Sequence, residues 1–167
     1  MGTENPFIKF NRLLDKSGKL PFTNISSHIL AQIPFSSAVI STAALKSKSA
    51  PTLTVLPGTE SRKELKFDTG QSIALPTFAA FTNTKYYFEL FYCAETHFEA
   101  ELSLLSLNNT KDDVIKFFVN DTGYGMISSG VSVEFYSQQL LLPEIKLVSK
   151  ADDVKSVYLL HLLILSD

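Results

Sequence analysis

From about residue 50 onward, apolar and polar positions alternate with a period of two. In "KYYFELFYCAE", Tyr86, Phe88, Leu90, Tyr92 and Ala94 fall on one face, while Lys85, Tyr87, Glu89, Cys93 and Glu95 fall on the other. Only Phe91 is out of character. Successive side chains of a strand point to opposite faces, so this pattern predicts a half-buried strand. "HFEAELSLLSL" repeats it, with Phe98, Ala100, Leu102 and Leu104 inward and His97, Glu99, Glu101 and Ser103 outward. "VSVEFYSQ" sets Val131, Val133 and Phe135 against Ser132, Glu134, Tyr136 and Gln138, and "DDVIKFFVND" and "EIKLVSK" add shorter strands. The clusters "LPGTE", "DTGQ", "LNNTKDD" and "NDTGYG" are turn chemistry that ends strands. Seven to nine strands and no long helical period predict an all-β fold, an antiparallel β-sandwich or jelly roll.

The last strand breaks the alternation. In "SVYLLHLLILS" both faces are apolar: Val157, Leu159, Leu163 and Leu165 on one, Tyr158, Leu160, Leu162 and Ile164 on the other. A strand apolar on both sides is covered on both sides. The second face, Tyr158, Leu160, Leu162 and Ile164, must meet either the N-terminal segment or another subunit, and a subunit is the expectation, since an exposed apolar face of that size invites aggregation. His161, on the first face, reads as a core or interface histidine.

The first fifty residues differ in kind. "NPFIKFNRLLDKSGKLP" ends in a turn and Pro21, and "FTNISSHILAQIPFSSAVISTAALKSKSAP" is rich in Ser, Thr and Ala. This composition predicts an N-terminal attachment arm over residues 1–50 and a β-sandwich domain over 51–167, with the boundary near Ser49–Pro51.

Charge sharpens that division. Residues 1–50 carry Lys9, Arg12, Lys16, Lys19, Lys46 and Lys48 against Glu4 and Asp15, while the rest carries nine bases and fifteen acids, for an overall net charge of −2. Six bases over fifty residues is sparse for a nucleic-acid arm, so a solvated arm, or one docked on an acidic partner surface, is the expectation. The single cysteine, Cys93, excludes an internal disulfide framework. The start lacks a signal-peptide pattern, and "VYLLHLLILSD" is too short for a membrane helix, so synthesis in a cytoplasm is expected.

Two resemblances add to this reading. Leu14 to Pro21, "LDKSGKLP", followed by the "QIP" of Gln32 to Pro34, resembles a linker found in bacteriophage tail-fibre, head-fibre and baseplate proteins. Asp15, Gly18, Lys19, Leu20 and Pro21 match that phrase, and Ile33 stands where leucine is usual. Tyr86, Phe88, Leu90 and Ala94 are similar to a strand of carbohydrate-binding jelly rolls. Together they imply a virion structural protein, an appendage or capsid-associated, made in the host cytoplasm. It would assemble with itself as a homotrimer and attach to other virion proteins through residues 1–50.

Chemistry is sparse. There is no G-x-S-x-G, and His28, His97 and His161 lie in an arm, at a strand start and in a buried strand. Glu89, Glu95, Glu99 and Glu101 are the one acidic cluster open to a glycosidase reading, against a solvated sheet face. No motif calls for a metal or cofactor. The expectation is therefore a non-enzymatic protein. Its alternative is a glycan-binding module for host-surface recognition, or the jelly-roll capsid protein of a small virus. A sugar site needs exposed rings and hydrogen-bonding side chains, for which Tyr87, Phe91, Asn109, Asp121, Tyr124, Tyr136 and Gln138 are the candidates.

Overall fold

The computed structural model describes residues 29–38, 50–82, 84–106, 113–128, 133–134 and 138–166. Two antiparallel sheets face each other, as the alternation predicts. Sheet A holds β1 (Ile29–Pro34), β2 (Thr52–Val55), β3 (Lys63–Phe67), β6 (Lys85–Ala94), β9 (Gly123–Ser128), β10 (Val133–Glu134) and β12 (Val157–Ser166). Sheet B holds β4 (Ser72–Ala74), β5 (Phe78–Ala80), β7 (Phe98–Ser106), β8 (Asp113–Val119) and β11 (Gln139–Lys150). Several short strands share one edge of a longer neighbour. Both β9 and β10 lie along β6, β1 and β3 along β12, and β4 and β5 along β11. The fold is an antiparallel β-sandwich of the jelly-roll kind.

The inward faces pack as one core. Phe88, Leu90 and Tyr92 of β6, Ala100, Leu102 and Leu104 of β7, and Ile145 and Leu147 of β11 are all buried in it. Each large apolar side chain moved out of water contributes about 1.5–3 kcal/mol, so the two inner faces supply the main driving force. Turns are set by local chemistry. Pro57 fixes the backbone of the β2–β3 turn, Gly58 takes φ 84°, and the Thr59 amide donates to the Leu56 carbonyl at 3.1 Å. At the other end, the buried Lys150 ammonium donates to the Asp153 and Lys155 carbonyls, at 2.9 and 2.8 Å, and to Asp68 Oδ1 at 3.3 Å. That ties the β11–β12 connection to the β3–β4 turn.

Strand β12 departs from the simple alternation. It pairs with β6 in register from Val157↔Ala94 to Leu159↔Tyr92, then resumes at His161↔Phe91, leaving Leu160 as the extra residue of a bulge. A bulge inserts one residue and shifts the facing of all that follow. Val157, Leu159, Leu162 and Ile164 therefore enter the inter-sheet core. Tyr158, Leu160, Leu163 and Leu165 form a second cluster on the outer face with Leu56, Phe91 and Cys93. The two faces expected from strict alternation are thus mixed. The expected subunit contact is corrected as well. Tyr158, Leu160, Leu162 and Ile164 are at most 3% exposed in the lone chain, so they are already covered without a second copy.

The expected boundary at residue 50 also shifts. Strand β1 pairs with β12 from Ile29↔Leu165 to Pro34↔His161, and the single helical turn α1 (Phe35–Ala38) buries Phe35 in the core. Residues 29–38 thus belong to the sandwich, and the "QIP" of the linker-like phrase is strand. Residues 1–28, with "LDKSGKLP", lie outside the described residues.

The bulge makes a prediction about deletions. Removing Leu160 leaves every later residue on its present face. The variant should keep a cooperative urea transition, weakened by about 2–5 kcal/mol for the lost leucine. Removing Leu163 should abolish that transition, because Leu162 and its neighbours then cannot all keep their faces.

Candidate functional site

The outer faces of the two sheets differ sharply. On sheet A, the register sets Gln32, Leu163, Glu89 and Ser128 in one row, Pro34, His161, Phe91 and Met126 in the next, and Thr52, Lys66, Tyr158, Cys93 and Tyr124 in a third. Most of this face is closed. Phe91 is only 3% exposed and meets the His161 ring edge-on, with centroids 6.3 Å apart at 77°. Burial, with Glu95 second, pushes the Cys93 thiol far above its usual range, which leaves it an unreactive packing group.

Closure strains the polar groups beneath it. Glu89 Oε2 and Gln32 Nε2 are buried without a hydrogen bond, and desolvation holds the Glu89 carboxyl above the ordinary glutamate value of 4.5. Nearby, Glu64 Oε1 accepts from Arg62 Nε at 2.9 Å, while its Oε2 has no partner. Burial raises the Glu64 carboxyl despite the opposing Arg62 charge.

The sugar-site candidates are scattered by this arrangement. Tyr87 and Tyr124 stay 36% and 37% exposed on the sheet A face. Their registers are six residues apart along β6, about 20 Å at strand rise. Phe91, placed between them, is sealed in. Asp121 is exposed in the β8–β9 connection, and Gln138 is exposed just before β11. Asn109 and Tyr136 lie outside the described residues. The glutamates are not a pair across a cleft either: Glu89 is on the outer face of sheet A, Glu99 and Glu101 on that of sheet B, and Glu95 in the β6–β7 connection. Among the described residues, no three His, Cys, Asp or Glu side chains converge as metal ligands.

The outer face of sheet B is open. Its rows run Ser149–Glu99–Phe118, then Lys146–Glu101–Lys116 beside Ser72, then Ala74–Glu144–Ser103–Val114, then Leu142–Leu105. Phe118 is 57% exposed and Val114 49%, while Leu105 and Leu140 are 42% and 41% exposed. Rows are about 7 Å apart, so this strip is roughly 20 Å long. At one end lies a hollow of about 350 Å³ lined by Ala74, Ser103, Leu105, Leu142, Pro143 and Glu144, within the ~300–1,000 Å³ of small-molecule sites. A ring, an alternating charge ladder and a hollow stand in line on one surface.

Sequence reasoning missed Phe118, Lys116, Lys146, Ser103 and Glu144 as site residues. A signal was there: in "DVIKFFV", Val114, Lys116 and Phe118 share the face opposite Ile115, Phe117 and Val119. A phenylalanine in phase with a lysine is an outward aromatic.

No family model matches the chain, and no curated protein is similar to it in sequence. Solved structures match it in fold. A carbohydrate-binding module of Cellvibrio mixtus lichenase 5A, in complex with cellotriose, aligns with a TM-score of 0.53 and 12% identity, over 82% of this chain and 97% of the module. The mosquito-larvicidal toxin Cry4Aa of Bacillus thuringiensis aligns with a TM-score of 0.55 and 15% identity, over 81% of this chain and 23% of the toxin. The chain spans about a quarter of the length of the toxins it matches. A more remote likeness, to infectious bursal disease virus at a TM-score of 0.41 and 11% identity, covers 70% of this chain and 36% of that one. At these identities the shared property is the β-sandwich itself. Among the described residues, no helix is long and apolar enough to cross a membrane.

The raised Glu89 carboxyl has a definite sign. A folded-state value above the unfolded one means that the neutral form is favoured on folding, so its contribution is present at low pH and lost as pH rises through the raised value. Glu89→Gln should therefore raise Tm at pH 8 and leave it nearly unchanged at pH 4, as read by thermal unfolding at the two pH values.

Proposed function

We propose that this chain is a non-enzymatic carbohydrate-binding β-sandwich module whose binding surface is the outer face of sheet B. The observation that carries the reading is the line formed by exposed Phe118, the Lys146–Glu101–Lys116 ladder and the hollow around Glu144 and Ser103. A ring stacks on the CH face of a pyranose, and charged or hydroxyl side chains hold its hydroxyls. The roughly 20 Å strip accommodates several sugar units in a row. Two lysines against Glu99, Glu101 and Glu144 leave little net charge, which favours an uncharged polysaccharide. The Cellvibrio module, which binds cellotriose in its solved structure, supports this at the level of fold.

A second reading is a structural protein of a virus particle that assembles from copies of itself. It is favoured by one feature, the four large apolar side chains Leu105, Val114, Phe118 and Leu140 exposed on the same face. Such a set marks a contact surface as readily as a ligand site.

The test is affinity electrophoresis of the full chain through gels containing uncharged polysaccharides, with light scattering alongside. The expected result is a monomer retarded by at least one polysaccharide, with Phe118→Ala weakening retention about tenfold, near 1.4 kcal/mol. A stable oligomer that Phe118→Asp dissociates, with no retardation on any gel, overturns the module reading in favour of assembly.

A further inference from the structure

The hollow on sheet B has a chemistry of its own, which rests on the carbohydrate reading and narrows it to one class of sugar. Glu144 sits at the centre of its row, flanked on β4 by Ala74 and on β7 by Ser103. Those small neighbours leave the depression, and the cross-strand pair Leu105 and Leu142, with Pro143, walls one side. Among the described residues, none that lines the hollow is aromatic.

That lining fits a particular group. A bare pyranose ring is best met by a flat aromatic surface, which Phe118 offers at the other end of the strip. Branched aliphatic walls instead enclose a compact apolar group such as a methyl. Beside them, an ionised carboxylate only accepts hydrogen bonds, whereas the Ser103 hydroxyl can also donate one. An acetamido group presents all three complements at once: an N–H donor, a carbonyl acceptor and a methyl. We infer that the hollow takes the acetamido group of an N-acetylated hexose, its N–H donating to the Glu144 carboxylate, its carbonyl accepting from Ser103, and its methyl packed on Leu105 and Leu142. A lysine side chain of a protein partner is the rival occupant. An exposed carboxylate holds an ammonium weakly in water, and Lys146, two residues along the same face, sets a like charge near any ammonium placed there.

Fully N-acetylated chitotriose and cellotriose differ only at C2, acetamido against hydroxyl, so they isolate this inference. The full chain is titrated with each by calorimetry. Chitotriose should bind about tenfold more tightly or better. Glu144→Ala and, separately, Leu142→Ser should shrink that preference to about threefold or less. Phe118→Ala should weaken both sugars alike, since it meets the ring and not the substituent. Should Glu144→Ala not fold, Ser103→Ala and Leu142→Ser carry the same test. Equal binding of the two sugars, or a preference for cellotriose, overturns the inference and leaves the carbohydrate reading standing. Binding of a lysine-rich peptide that Glu144→Ala abolishes, with neither sugar bound, overturns the inference. Failure of both trisaccharides and of every polysaccharide overturns the inference and the reading together.

Discussion

The structure depends on one strand that must be buried on both faces. β12 pairs with β6 along one edge and with β3 and β1 along the other, so three other strands of sheet A are held by a single run of ten residues. Nine of those ten side chains are buried, and at about 1.5–3 kcal/mol for each large apolar group they dominate the stability of this layer. Two apolar faces need two cores. The inter-sheet core takes one, and the cluster of Leu56, Phe91, Cys93, Tyr158, Leu160, Leu163 and Leu165 takes the other. The bulge at Leu160 divides the residues between them.

Closing the outer face of sheet A has a consequence for the polar residues there. Glu64, Glu89 and Gln32 each keep one buried atom without a hydrogen bond, an arrangement that costs about 1–3 kcal/mol per group. Both carboxyls respond by shifting toward the neutral form. A surface that strains its polar groups and seals Phe91 between two distant tyrosines is poorly suited to a water-soluble ligand. The outer face of sheet B has the opposite character. Its ring is exposed, its charges alternate across neighbouring strands, and its hollow is reached from solvent.

Much of the fold was legible because period two is a direct signature of strands with one wet face. The inward sets of β6 and β7 lie in the core as their alternation required. What failed was any inference that depended on counting parity through a uniformly apolar run. In "VYLLHLLILS" the one charged-type residue, His161, is itself buried and marks no wet face, so nothing local announces the extra residue at Leu160. The same blindness left the covering of the sheet A face unseen. Tyr87 and Phe91 share a face by sequence, but whether that face is open depends on the covering of β12, a tertiary fact. Strand β1 was read as arm for a related reason: six residues with one polar break, Gln32, carry too short a period to tell a strand from a linker.

The charge ladder on sheet B separates the two readings of that face. Lys146, Glu101 and Lys116 run plus, minus, plus across three adjacent strands, a palindrome in charge. Most oligomers of identical chains are closed by two-fold axes, which bring the same patch of both copies together. A face-to-face pair centred on Glu101 sets glutamate on glutamate, and lysine on lysine, whether the axis runs along the strands or across them. Opposite charges meet only if one copy slides by a strand spacing, about 4.8 Å, which uncovers part of the apolar contact that would drive association. An uncharged ligand of one or two strand widths meets no such conflict, because it takes hydrogen bonds from both lysines and gives them to the glutamate between. The pattern that disfavours a centred copy of the chain on this face is the same one on which the proposal of a neutral sugar rests.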